Sequence, residues 1–75
     1  MNNSSRICIS SPPDREKLVA EIFFSDQQWA EINQEGSSLE VEVYPRPDGQ
    51  PWKINYGEVL NVLQEARARL LGEIP

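Results

Sequence analysis

The sequence predicts an α+β fold: an antiparallel β-meander of four to five strands carrying one C-terminal α-helix on one of its faces. Three observations lead there. Leu39 to Tyr44 alternates apolar and polar side chains, the period of a half-buried strand. Short turn-forming runs separate the β-rich stretches before it, and short links between consecutive strands favour antiparallel neighbours. After Asn55 the period becomes helical, with Val59, Leu63, Ala66 and Leu70 on one stripe and Tyr56 and Leu60 beside it.

Taken in order, residues 1–75 read as a single domain, with residues 1–5 expected to form a flexible end. Arg6 to Ser10, with Ile7 and Ile9, predicts a short edge strand, and Ser11-Pro12-Pro13-Asp14 interrupts it. Leu18 to Phe24 is rich in branched and aromatic residues and predicts a strand. Ser25 to Gln28 is expected as a turn, Trp29 to Gln34 as a strand, and Glu35 to Ser38 as a second turn. Pro45, Pro47 and Pro51 around Asp48-Gly49 force a loop between Tyr44 and Trp52. Trp52 to Asn55 predicts a last short strand. Asn55 is placed to cap the helix, with Glu58 at the spacing of a capping box. Arg67 and Arg69 complement the helix dipole at its other end, and Gly72 terminates it.

The period-2 rule sorts the strands into two faces. Leu18, Ala20, Ile22, Phe24, Ala30, Ile32, Leu39, Val41, Val43, Trp52 and Ile54 are expected to face the helix. Val19, Glu21, Phe23, Trp29, Glu31, Asn33, Glu40, Glu42, Tyr44, Lys53 and Asn55 are expected on the opposite face, with no element left to cover it.

Composition bounds the function. A chain of 75 residues has a thin core, since a domain of this size buries only about 60% of its unfolded surface. Its net charge of −5 is unevenly spread. Residues 21–50 carry Glu21, Asp26, Glu31, Glu35, Glu40, Glu42 and Asp48 against Arg46 alone, seven acids less one base, or −6. Such a surface repels phosphate backbones and attracts basic proteins, so nucleic acid is not an expected partner. No apolar run reaches the roughly 20 residues that span a bilayer. Met1 to Ser11 lacks the apolar core of a signal peptide, and Cys8 is the single cysteine. These features predict a cytoplasmic protein without membrane contact, a monomer or weak homodimer.

Catalysis is not expected. The chain has no histidine, the commonest general base and metal ligand. Cys8 has neither a histidine nor a helix N-terminus beside it to activate the thiol. Glycine-rich phosphate loops, zinc-ligand spacings and calcium loops do not occur, so no cofactor or metal is expected. What remains is a mixed acidic and aromatic face. Phe23, Trp29 and Tyr44 supply its bulky rings, with Trp52 after the proline loop as a further anchor; Glu31, Glu40 and Glu42, with Asp48 at the loop tip, supply the charge that steers a basic partner. The proline-stiffened loop would lose little entropy on insertion into a cleft.

The runs Leu18-Val19-Ala20-Glu21-Ile22, Trp29-Ala30-Glu31-Ile32 and Tyr44-Pro45-Arg46, with Ala66 and Leu70-Leu71 ending the helix, resemble short bacterial immunity proteins of contact-dependent growth inhibition. That resemblance spans residues 7–71 in overall pattern. It implies a cytoplasmic inhibitor that binds one cognate toxin, commonly a nuclease, and occludes its active site. The strand order is also similar to HicB-type antitoxins, with Tyr44-Pro45 after the third strand and Glu58 to Leu70 as the following helix. A separate DNA-binding segment after the helix is missing, which speaks against promoter binding. The sequence thus leads to an immunity protein or antitoxin for a basic toxin domain, with a structural or adaptor module, dimeric through a sheet edge, as the alternative.

Overall fold

A computed structural model describes residues 5–73. Strands β1 (Ser5–Ser10), β2 (Val19–Phe24), β3 (Gln27–Asn33) and β4 (Glu40–Val43) precede helix α1 (Tyr56–Leu70). The strands form one antiparallel sheet in the order β1-β2-β3-β4, and α1 packs on one face of it. This is the expected α+β meander. Ser5 is the first residue of β1; the rest of the expected flexible end, residues 1–4, lies outside the described residues.

The expected strand over Trp52 to Asn55 does not form. Pro45 ends the run of ladder donors after β4, and the loop crosses to the helix side. There the Trp52 indole N–H donates to the Tyr44 carbonyl at 2.9 Å, and Trp52 and Ile54 pack against the core. The turn after β2 is tighter than expected. Ser25 and Asp26 both hold positive φ, 50° and 67°, the mirror-image turn whose twist matches two antiparallel strands. β3 therefore starts at Gln27.

That early start carries a further irregularity. Ile22 pairs with Ala30 but Phe23 pairs with Gln28, leaving Trp29 as the extra residue of a bulge. The bulge turns Trp29 to the helix side. It is 8% exposed there and meets Phe24 edge-on, with ring centroids 5.3 Å apart. Its expected place on the solvent face is thereby corrected, because strict alternation fails across an inserted residue.

The core joins Ala20, Ile22, Phe24, Ala30 and Ile32 to Val62, Ala66 and Leu70 of α1, flanked by Val59 and Leu63. Tyr56 and Leu60, at the border of that stripe, remain exposed. So does Leu18, which precedes β2. The helix ends as its sequence requires. The Asn55 side chain accepts from the Glu58 N–H at 3.1 Å. Gly72, at φ 73°, donates its N–H to the Arg69 carbonyl while Glu73 N–H reaches the Ala68 carbonyl. These paired bonds form a Schellman cap, and the left-handed residue at its centre favours glycine.

One asymmetry leaves part of the helix-side face open. The helix lies over β2 and β1. Val41 and Val43 share the helix-side face with their cross-strand partners Ile32 and Ala30. Yet they stay 48% and 57% exposed, because α1 is displaced from their end of the sheet.

Candidate functional site: an acidic ladder beside an open strand edge

The register lines up three glutamates. Glu21 lies opposite Glu31, and Glu31 opposite Glu42, in one row across β2, β3 and β4. Like charges directly opposite each other destabilise a sheet. The chain answers with Arg15, from the connection between β1 and β2. Its Nη2 donates to Glu31 Oε2 at 2.8 Å and also to Glu42 Oε2. The glutamates hold that guanidinium above its usual pKa, Glu42 through its hydrogen bond most strongly.

Other bonds fix the connection in place. The Glu35 carboxylate accepts the N–H groups of Glu16 and Lys17, each at 3.2 Å, and Gln34 Nε2 donates to the Leu18 carbonyl at 3.1 Å. Beneath this cover Val19, Glu31 and Asn33 are buried. The expectation of a bare outer face is corrected. A proline-interrupted connector folds back on it because a cation is needed where the acids stack.

The expected site residues separate accordingly. Glu31, 5% exposed, is occupied by Arg15 and by the Tyr44 hydroxyl, which donates to its Oε1 at 3.3 Å. Phe23 is half-buried under the Arg6 guanidinium, 4.2 Å from its ring centroid. Trp29 belongs to the core, and Trp52 is packed partly against it with Arg46 over its ring. Asp48, expected to reach a partner arginine, pairs with Arg46 of its own loop at 2.7 Å. The Gln50 N–H at 2.9 Å and Arg46 together lower its pKa, the backbone bond most strongly. What stays open is β4: Glu40, Val41, Glu42 and Val43 are all exposed, although Glu42 is shared with Arg15 and with Asn33 Nδ2.

The Tyr44 phenol sits above its ordinary pKa, because of partial burial first and then the negative charges of Glu31 and Glu42. A phenol whose folded pKa is raised contributes stability fully present below the unfolded value of 10.0 and lost as pH rises through the folded value. Alkaline denaturation should therefore begin above about pH 10, and Tyr44→Phe should flatten that limb. A wild-type and variant pair with superimposable stability curves there would refute the assignment.

Sequence reasoning missed Arg15, Val41 and Val43 as determinants. In the sequence Arg15 is one of three cations, with Arg6 and Lys17, against Asp14 and Glu16 in the first twenty residues, a net +1 with no sign of its partner. A groove of about 480 Å³ between β1 and α1 brings Arg6 and Arg69 together with Glu58 and Glu65, a balanced set in which Arg69 and Glu65 already pair. Among the described residues no group of three or more His, Cys, Asp or Glu is arranged to hold a metal ion. None of their helices is long and apolar enough to cross a membrane. Comparison with family models, curated proteins and solved structures finds no match for this chain.

Proposed function

We propose that the protein is a non-catalytic binding module of the bacterial cytoplasm that neutralises a basic toxin domain, in the manner of an immunity protein or antitoxin. The observation that carries this reading is the −6 charge of residues 21–50, which supplies the acids Glu40 and Glu42 of an edge strand flanked by exposed valines. A nuclease is the favoured class of target, because a cleft that binds nucleic acid is itself basic and would be both attracted and blocked. The docking surface is centred on β4 instead of on the rings first expected, since Trp29 is in the core and Glu31 is held by Arg15.

The test starts from the neighbouring reading frame: a large secreted protein encoded there supplies the candidate toxin, and its C-terminal domain is co-expressed with this chain. Rescue of growth together with co-purification is the expected result. Unrelieved growth arrest, with no complex recovered, rejects the function. A structural or adaptor dimer is the second reading, motivated by the same unpaired edge, and sedimentation separates the two because a monomer at micromolar concentration excludes it.

A further inference from the structure

The phase of the β3–β4 ladder decides what the open edge offers. The Tyr44 N–H donates to the Trp29 carbonyl at 2.8 Å. Bonded pairs alternate along an antiparallel ladder. With Val43 opposite Ala30, Glu42 opposite Glu31, Val41 opposite Ile32 and Glu40 opposite Asn33, this bond sets Tyr44, Glu42 and Glu40 as the residues that bond inward. The N–H and C=O groups of Val41 and Val43 therefore point off the sheet. Among the described residues no strand lies beyond β4. Pro45, next in the same phase, has no N–H and closes the window.

We infer that this edge is completed by an extended segment of the protein's partner, a strand in which basic and apolar side chains alternate. The proposal rests on the function proposed above and specifies how that partner is held. Main-chain groups of Val41 and Val43 supply affinity through strand addition, and the two faces of β4 supply selectivity. Apolar residues of the incoming strand continue the helix-side face beside Val41 and Val43. Lysines or arginines stand opposite Glu40 and Glu42 at the non-hydrogen-bonded positions, where cross-strand side chains approach most closely.

The charges discriminate against a second copy of this chain. An antiparallel copy in the register that uses Val41 and Val43 of both edges sets Glu42 directly against Glu42. Slipping one way brings Glu40 against Glu42, and slipping the other brings Pro45 opposite Val41. Strand β1, the other edge, offers a single cation, Arg6, already lying over Phe23, and head-to-tail addition through it would build a ring or an open filament.

The probe is an extended peptide of alternating lysine and valine, titrated into isotopically labelled protein and compared with a peptide of the same composition in two blocks. The expected result is binding of the alternating peptide, with slowed amide exchange at Val41 and Val43. Glu40→Lys/Glu42→Lys should weaken it by about tenfold or more. Val43→Pro should do the same, since it deletes an outward donor without removing a ladder bond. Should the proline variant fail to fold, Val43→Lys places a charge on the apolar side of the edge and is expected to weaken binding as well. The proposal is overturned if nothing binds at about 5 mM peptide, a concentration that detects even weak complexes. It is overturned equally if the block peptide binds as well, if exchange slows elsewhere, or if β4 is protected in a dimer of the chain itself. A toxin domain that is neutralised equally by wild type and by the Val43→Pro protein would leave the proposed function standing and remove the edge from it.

Discussion

Replacing Phe24 by alanine is expected to remove about 3–5 kcal/mol of stability, the usual result of truncating a buried phenylalanine. A domain of 75 residues has only about 4–11 kcal/mol to lose at the typical stability per residue. The side chain is 2% exposed and meets Trp29 at an interplanar angle of 72°, so both the transfer of the ring and a favourable edge contact are lost. Ala20, Ala30 and Ala66 belong to the same core cluster and are already small, so that cluster holds little side-chain volume to move into the space. The urea midpoint should fall by about a quarter or more, and Trp29 emission should shift to the red at intermediate denaturant. A Phe24→Ala protein that unfolds at the wild-type midpoint would show that this ring is not part of the core.

Arg15→Met is expected to lower the urea midpoint by about 1 M, which for so small a protein is a large share of its stability. Methionine keeps most of the aliphatic volume and deletes the charge. Glu31 would remain buried, opposite Glu21 and Glu42, with the Tyr44 hydroxyl as its remaining hydrogen-bond donor. An uncompensated charge in that position is the costly half of a broken ion pair. Adding Glu31→Gln to the Arg15→Met protein should restore much of the loss, since the amide is neutral. If Glu31→Gln compounds the damage, or if Arg15→Met unfolds like the wild type, the guanidinium is a surface contact that the domain does not need. The pair also separates folding from binding. Glu42 exchanges a cation within the chain for one on a partner in the proposed complex, whereas Glu31 is committed to the fold.

Most of the fold was legible because it rests on local rules. Alternation in Leu39 to Tyr44 marked β4 to within a residue or two. Asn55 before a helical stripe marked the start of α1, and Gly72 its end. Each of these signals depends on residues a few positions apart, which feel the same backbone geometry wherever the segment packs. The two-residue turn at Ser25 and Asp26 lacked the glycine that usually announces it, and the strand after it was consequently placed two residues late. The candidate site was less legible. The charge along residues 21–50 counts all seven acids as available. Arg15, sixteen positions before Glu31 in the chain, cancels part of that excess only once the strands are paired.

The sequence alone determined that a meander of strands would be closed by one capped helix, and that negative charge would gather on β2 to β4, because composition and short-range periodicity survive any arrangement of the elements. Only the tertiary structure decided which side of the sheet Trp29 occupies, which glutamates are already satisfied and where the helix leaves the sheet uncovered. Those outcomes depend on a register shift, on an ion pair across distant segments and on the lateral offset of α1. Each is a balance between groups brought together by packing, and none has a signature in neighbouring residues.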